Sequence, residues 1–281
     1  MHNYNYKWKL RNKTISLGGS PLIMGILNAT PDSFSDGGRF NTTKKATNHA
    51  LKMIDDGADI IDIGGESTRP GSKQISLNEE INRTIPIIKS LRKLNDSILI
   101  SIDTSKSEVA RLAMEEGADI INDVTSYNND LNMPEIVRKY EAGIILMHMQ
   151  GTPENMQIDP SYDNVIGEVS EFLNKKILDS IKSGILKESI IIDPGIGFGK
   201  NINQNLTLLK NLDKFTNVQP TLIGLSRKSF IGKIIGEKDP KGRLAGSLGA
   251  TAFSIIQGAH ILRVHDVKET RDVCEIFKHL H

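Results

Sequence analysis

The chain has 281 residues, of which 38% are apolar and 25% are charged, and its formal net charge at pH 7 is +1. This composition supports a sizeable buried core and excludes a disordered chain. Because no block of Lys or Arg stands out, we expect a small-molecule site, and neither a nucleic-acid nor a membrane partner. The single cysteine, Cys274, cannot form an internal disulfide. The sequence also lacks a signal peptide and an apolar run of about 20 residues, so it predicts a cytoplasmic protein.

Residues 1–19 are expected to form a short N-terminal extension. Within it, the sequence predicts a β-hairpin at residues 8–17 that closes the bottom of the domain that follows. Residues 20–281 predict one domain with eight short aliphatic strands. These strands are expected at residues 22–27, 59–63, 98–102, 119–121, 143–147, 189–192, 221–225 and 259–264. Most intervals between them have room for a helix. Two helices are predicted to begin with capping boxes, Ser76-x-x-Glu79 and Ser105-x-x-Glu108.

A short sequence motif recurs at residues 56–62, 116–122 and 257–263, where a predicted helix ends and a predicted strand begins. In each copy a glycine suited to the left-handed end of a helix precedes an aliphatic run typical of a buried parallel strand. Eight such units favour the α/β class and a single closed (β/α)8 TIM barrel with a short N-terminal extension. An open doubly wound sheet has similar local patterns, so periodicity alone leaves that alternative open.

Every predicted strand ends on side chains that can bind or ionise. They are Asn28, Asp62, Asp103, Asn122 with Asp123, His148, Asp193, Arg227 with Lys228, and Arg263 with His265. A single polar residue at such a place is often a solvated loop residue. In a barrel, however, all eight carboxyl ends converge on one face, where active sites are built. The pattern therefore predicts a polar pocket on that face.

Several stretches of the chain resemble the dihydropteroate synthase family. They are MGILNATPDSFSDGG (24–38), GGESTRPG (64–71), DTSK (103–106), IND (121–123), IIDPGIGFGK (191–200), SRKS (226–229) and RVHDV (263–267). The resemblance runs from about residue 22 to about residue 270. It implies a transferase of folate biosynthesis that joins (7,8-dihydropterin-6-yl)methyl diphosphate to 4-aminobenzoate with release of diphosphate. It also implies a homodimer and sensitivity to sulfonamides.

The resemblance assigns the pterin to a set of polar strand ends and one loop residue. A pterin has a flat edge of donors and acceptors, and Asp193 in a Gly-rich turn can accept paired hydrogen bonds from such an edge. The alternative for Asp193 is a turn aspartate beside Pro194 that binds only backbone N–H groups. The complete pterin-binding set implied by the family is Thr68, Asp103, Asn122, Asp193, Lys228 and Arg263.

The diphosphate is expected to bind where cationic and neutral donors meet. Arg263 and His265 are two residues apart, so they face the same side of a regular strand; the alternative is a solvated edge pair. Asn28 offers an oxygen ligand for Mg2+, the cofactor that the reaction implies. The resemblance therefore implies diphosphate binding by Asn28, Arg69, Arg263 and His265, with Asn28 as the metal ligand.

The 4-aminobenzoate site is expected near the start of a predicted helix at Ser229, whose hydroxyl and backbone N–H suit a carboxylate. The family implies apolar walls for the ring, for which core packing is the alternative. The implied set is Phe34, Pro70, Phe198, Lys228 and Ser229. The implied catalytic set is Asp36, Asp103, Lys228, Arg263 and His265. The loops at residues 30–41 and 64–76 are expected to act as mobile lids.

Three other interpretations compete with this one. A methyltetrahydrofolate:corrinoid methyltransferase would share Asp103, Asn122 and Asp193 but would have no use for a diphosphate site. A Schiff-base aldolase would use Lys228 as its nucleophile. A non-catalytic paralogue that binds pterin or phosphate would have the same fold, because fold alone does not establish function.

Overall fold

The structure, a computed structural model, describes residues 5–29 and 39–280. In this part of the chain two strands form an antiparallel hairpin, and eight further strands form one parallel sheet. The hairpin strands are β1 (Tyr6–Leu10) and β2 (Lys13–Leu17). The sheet strands are β3 (Leu22–Asn28), β4 (Ile60–Gly64), β5 (Leu99–Asp103), β6 (Ile120–Asp123), β7 (Gly143–Met147), β8 (Ile190–Asp193), β9 (Leu222–Ile223) and β10 (Ile261–Val264).

Helices alternate with the sheet strands. They are α1 (Arg39–Asp55), α2 (Leu77–Leu94), α3 (Ser107–Glu115), α4 (Met133–Tyr140), α5 (Val165–Lys182), α6 (Ile202–Lys210), α7 (Asp213–Thr216), α8 (Ser229–Ile235), α9 (Leu244–Ile256) and α10 (Val267–Leu280). None of these described helices is long and apolar enough to cross a membrane.

The sheet closes into a barrel, which confirms the predicted TIM-barrel fold. Its strand order is β8-β7-β6-β5-β4-β3-β10-β9. A parallel bridge between Ile192 and Thr221 joins the two outer strands, and Ile192 N–H donates to Pro220 O at 3.0 Å. The alternative of an open doubly wound sheet is therefore excluded for this chain.

The predicted strand at residues 221–225 is shorter in the structure, where β9 is only Leu222–Ile223. The cause lies in the turn that follows it. Arg227 has a left-handed φ of 59°, which an extended strand does not allow. The backbone N–H of His265 donates to the Ser226 hydroxyl at 3.2 Å. A side chain therefore accepts this hydrogen bond, where a continued strand would accept it with a backbone carbonyl.

The first predicted capping box is confirmed in part and the second is wrong. Ser76 accepts a 3.2 Å hydrogen bond from Glu79 N–H at the start of α2. The other helix begins one residue later than predicted, after Lys106, which provides no side-chain cap. There Ser107 N–H donates to Asp130 Oδ2 at 2.8 Å. A carboxylate from a distant loop therefore satisfies the N–H group that Ser105 was expected to help cap.

The hairpin plugs the amino-terminal end of the barrel, as predicted. Trp8 and Leu10 are fully buried, and Trp8 Nε1 donates to Ser189 O at 3.1 Å. With Leu17 they form a buried apolar cluster with one residue from each of the eight barrel strands: Met24, Ile60, Leu99, Ile120, Ile145, Ile191, Leu222 and Ile261. A second, larger core lies between the sheet and the helices. Apolar side chains thus fill the barrel interior at the amino-terminal end of the strands, and polar residues lie at the carboxyl end.

Candidate active site

Four polar side chains meet at the carboxyl ends of β4, β5, β6 and β10. Arg263 donates from Nε to Asp62 Oδ2 at 2.6 Å and from Nη2 to Asp103 Oδ2 at 2.6 Å. Asn122 Nδ2 also donates to Asp62 Oδ2, at 3.1 Å. Asp62 is completely buried, and Asp103 and Asn122 nearly so. The guanidinium is therefore held in one orientation at the floor of the strand-end pocket, with three of its five N–H groups left for other partners.

Burial and pairing set the charges of this group. Burial opposes the charge of Arg263, but Asp62 and Asp103 outweigh that effect and raise the pKa of the guanidinium above its ordinary value. Burial raises the pKa of Asp103 to about 7; Arg263 counteracts this and Asp62 reinforces it. Asp103 thus changes charge near neutral pH, whereas Arg263 remains a cation.

Asp193 and Lys228 form the neighbouring part of the floor. Asp193 Oδ1 accepts a 2.7 Å hydrogen bond from Gly195 N–H, so the turn contact considered as an alternative does exist. That contact uses one of the two carboxylate oxygens. Burial raises the pKa of Asp193, and the Gly195 bond and Lys228 oppose the rise. Burial lowers the pKa of Lys228 to about 8, against the effect of Asp193.

His265 lies beside this floor with its ring orientation fixed. Its Nδ1 is 3.0 Å from Ser226 Oγ. Burial, followed by the positive charges of Arg227 and Arg263, lowers the pKa of His265 to about 3. The ring is therefore neutral at pH 7, and we assign the Ser226 hydroxyl as donor to Nδ1, which leaves the ring proton on Nε2. The charge of Arg69 also contributes to this lowering, so the exposed Arg69 side chain belongs to the same neighbourhood.

The predicted metal ligand, Asn28, is the last residue of β3. This strand lies between β10 and β4, the strands that carry Arg263 and Asp62. Among the described residues, no group of three or more His, Cys, Asp or Glu side chains is arranged to hold a metal ion. A single amide oxygen fits Mg2+, which keeps several waters and takes much of its coordination from substrate phosphates.

The residues predicted to bind 4-aminobenzoate differ in how deeply they are buried. Phe198 is buried in a small apolar cluster with Val124, Met147 and Met156, so the core-packing alternative holds for part of its surface. Lys228 Nζ lies 3.9 Å from the centre of the Phe198 ring. Pro70 is exposed in the loop between β4 and α2. Ser229 is the exposed first residue of α8 and lines a cavity of about 410 Å3 together with Gly197.

Thr68 lies half-buried in the same loop between β4 and α2. Hydrogen bonds hold this loop at more than one point: Lys106 Nζ donates to Glu66 Oε2 at 2.7 Å, and Gly71 N–H donates to Pro153 O at 2.9 Å. The predicted residues Phe34 and Asp36 lie outside the described residues, as does most of the first predicted lid.

The sequence assigned no role to two residues that support this site. Asp62 orients both Arg263 and Asn122, and its position at a strand end was the available signal. Lys200 is almost fully buried beneath the turn that follows β8. Its only signal was its place at the end of the Gly-rich stretch, because a lysine in a loop is ordinarily exposed.

Comparisons with known proteins agree with this geometry. A family described as "Pterin binding enzyme" matches residues 24–265. A curated dihydropteroate synthase of Synechocystis sp. is 47% identical over 260 residues, which are 92% of this chain and 90% of the relative. A structure of Xanthomonas albilineans dihydropteroate synthase with 4-aminobenzoic acid has a TM-score of 0.91 and 39% identity, and the match covers 99% of this chain and 98% of that one. A structure of Yersinia pestis dihydropteroate synthase with a sulfonamide drug has a TM-score of 0.91 and 41% identity, with 98% of both chains covered.

These matches span nearly the whole chain. Their sequence identities are far above those of proteins that share only a fold. They decide against the methyltransferase and aldolase interpretations. The chain belongs to the pterin-binding enzyme family, and within that family to the dihydropteroate synthases.

Proposed function

We propose that this chain joins (7,8-dihydropterin-6-yl)methyl diphosphate to 4-aminobenzoate, forming 7,8-dihydropteroate and diphosphate. The observation that carries the proposal is the pocket floor, where Arg263 is held between Asp62 and Asp103. Asp193 and Lys228 are close enough to this group that their charges act on one another. A flat ring edge with several donors and acceptors requires partners of both kinds side by side.

Asp193 is the acceptor for the amide and amidine edge of the pterin. Its second carboxylate oxygen is not used by the Gly195 turn contact. Lys228 donates to the pterin carbonyl or a ring nitrogen. Asn122, Asp103 and Thr68 complete the contacts around the ring. These roles follow the family pattern and are compatible with the burial of Asp103, Asn122 and Asp193 at adjoining strand ends.

The charge balance of the floor favours a dissociative substitution. With both carboxylates ionised, the group formed by Asp62, Arg263 and Asp103 has a net negative charge. Fixed negative charge stabilises a carbocation that develops at the pterin methylene as the carbon–oxygen bond to diphosphate breaks. The neutral arylamine nitrogen then attacks this carbon and afterwards loses a proton. No covalent bond to the enzyme is needed, so a trapped enzyme–pterin adduct would contradict this route.

The leaving diphosphate is bound by Arg69, Arg263 and His265. Because His265 is neutral, it contributes a hydrogen bond from Nε2 and no charge. Asn28 would hold Mg2+ together with the substrate phosphates, and the ion would neutralise charge on the departing group. Asp36, from the first loop, completes the catalytic set by family resemblance.

The 4-aminobenzoate carboxylate binds at Ser229, and its ring contacts Phe198 and Pro70. The family resemblance adds Phe34 to this set. The exposed Ser229 hydroxyl and the cavity beside it give the carboxylate an approach from solvent. Phe198 has one side packed in the apolar cluster and the other near Lys228. The acceptor amine is thereby directed towards the pterin methylene.

We also infer a cytoplasmic homodimer. The run of α9, Leu244–Ile256, contains no charged residue, yet Phe253 and Ile256 are exposed on it. Ile234 and Ile235 of the neighbouring helix α8 are exposed as well. An apolar surface formed by two adjacent helices away from the strand-end pocket is suited to a second copy of the chain.

The proposal is tested by measuring dihydropteroate formation from the two substrates and Mg2+. The comparison is between the unaltered protein, Asp193→Ala and the control Asp272→Ala, which removes an exposed carboxylate on α10. We expect product with the unaltered protein and the control, and loss of most activity in Asp193→Ala. Absence of product with folded, unaltered protein would favour the non-catalytic binding protein instead.

A further inference from the structure

Lys200 is a buried lysine without a carboxylate partner. Its relative exposure is only 2%. Its Nζ donates to Gly195 O and to Phe198 O, both at 2.9 Å, and lies 3.0 Å from His148 Nδ1. Among the described residues, no acidic side chain forms an ion pair with it. A longer contact, of 3.4 Å, joins Nζ to His148 O. An ammonium group is costly to bury, and burial lowers the pKa of Lys200 to about 7, so these hydrogen bonds are the main compensation for burying the group.

The turn that these bonds hold is pressed closely against the loop after β7. A Cβ atom at Gly195 would lie 1.8 Å from His148 O, and one at Gly199 would lie 2.3 Å from Gln150 O. Both glycines have positive φ angles, 69° and 62°. Such a turn has no sheet ladder of its own, so local donors satisfy its carbonyl groups. Phe198 N–H donates to Gly195 O at 3.1 Å, and Lys200 is the side chain that joins Gly195 O to Phe198 O.

His148 is a rigid acceptor in this arrangement. Its ring packs edge-on against Phe172, with ring centres 5.0 Å apart. Burial, followed by the charge of Lys200, lowers the pKa of His148 to about 3. The imidazole is therefore neutral, and we assign its Nδ1 as the acceptor from Lys200 Nζ. His148 N–H also donates to Asp193 O at 3.0 Å, so the same residue is tied to both ends of the turn.

The turn from Asp193 to Gly199 carries one predicted contact for each substrate. Asp193 begins it as the pterin acceptor, and Phe198 stands near its end as the wall for the arylamine. We propose that Lys200 is a positioning residue that fixes this turn and thereby sets the relative placement of the pterin and the arylamine. The inference rests on the proposed function, because it concerns the two substrates of that reaction.

The test uses Lys200→Met, which keeps the length of the side chain and removes its N–H groups. The matched control is Lys210→Met, at an exposed lysine that ends α6 and does not line the cavity beside Ser229. Steady-state kinetics with each substrate varied, calorimetric binding of the dihydropterin diphosphate and thermal unfolding are measured on all variants. A displaced group of this kind costs on the order of 100-fold in kcat/KM. We expect that fall in folded Lys200→Met, with a higher KM for both substrates, and no change in the control.

A residue that only stabilises the fold would lower the melting temperature and leave both KM values of the folded enzyme unchanged. Folded Lys200→Met with KM values within about twofold of the unaltered enzyme would therefore overturn the inference. If Lys200→Met does not fold, His148→Phe decides, because it keeps the ring packing and removes one acceptor. We expect a smaller rise of both KM values in that variant, and unchanged values would overturn the inference.

Failure of the proposed function would be recognised separately. It would appear as no dihydropteroate from the unaltered protein and from Lys210→Met alike. The role of Lys200 would then be measured by dihydropterin diphosphate binding. Weaker binding by Lys200→Met than by Lys210→Met would support a positioning role, and equal binding would overturn it.

Discussion

Asp62 and Arg263 form a 2.6 Å ion pair although 201 residues of chain separate them. Their strands, β4 and β10, both neighbour β3 in the sheet, so the barrel brings the two side chains together over its interior. Asp62 is fully buried and also accepts from Asn122. One carboxylate oxygen thus orients a cation and an amide that we assign to substrate binding.

We expect Asp62→Asn to lower kcat/KM by about 100-fold, because the guanidinium loses one of the two carboxylates that hold it in place. The matched control is Asp59→Asn, just before the start of the same strand, where Asp59 pairs with Arg271. That change should lower stability without changing kcat/KM. Kinetics and chemical denaturation of both variants check the prediction, and equal kinetic effects would show that the location of Asp62 is unimportant.

The pH dependence of kcat/KM should be bell-shaped, with its maximum between about 7 and 8. Burial raises the pKa of Asp103 to about 7, so the anion required near the developing cation is lost as pH falls below that value. Burial lowers the pKa of Lys228 to about 8, so its positive charge is lost as pH rises further. Because the pKa of His265 is lowered to about 3, its titration does not shape the pH profile in this range.

The variant Lys228→Arg provides the check on the alkaline limb. An arginine remains charged throughout this range, so the alkaline fall should disappear even though the activity is lower. An acid limb that persists in Asp103→Asn would show that another group is responsible for it. Both profiles are measured at fixed ionic strength with each substrate varied.

The strands and their polar ends could be predicted from the sequence because each buried parallel strand is a short aliphatic run that ends on a polar residue. The pairing of Asp62 with Arg263 could not, because contacts between distant strands depend on closure of the barrel. The cap at Ser105 failed for a similar reason, since Asp130 from another loop binds Ser107 N–H. Lys200 was overlooked because local sequence does not show that a lysine will be buried.

Trp8→Ala should destabilise the protein by about 3–5 kcal/mol, the range for removing a large buried aromatic side chain. Trp8 is fully buried under the barrel and donates to Ser189 O. Because this plug lies at the end of the barrel opposite the pocket, KM values should not change in the folded variant. Lys9→Ala, at an exposed position of the same strand, is the control and should alter stability by no more than about 0.5 kcal/mol.

Sulfonamides should inhibit in competition with 4-aminobenzoate and not with the dihydropterin diphosphate. Ser229→Ala should raise the KM for 4-aminobenzoate and the inhibition constant of a sulfonamide, each by about 10-fold, the cost of one hydrogen bond to a charged group. The control is Ser183→Ala at the exposed end of α5. A changed pterin KM with an unchanged 4-aminobenzoate KM would place Ser229 in the wrong subsite.

The proposed dimer surface is tested by placing charge on two of its exposed apolar residues. Phe253 and Ile256 lie on the uncharged helix α9 with relative exposures of 39% and 55%. Burying two aspartates in an apolar interface is unfavourable, so Phe253→Asp combined with Ile256→Asp should shift the protein to monomers in analytical ultracentrifugation. Ile276→Asp is the control, because Ile276 is even more exposed, at 62%, but lies on the charged helix α10. Dissociation by the control alone would move the interface to α10, and a dimer that survives all these changes would place it on another face of the barrel.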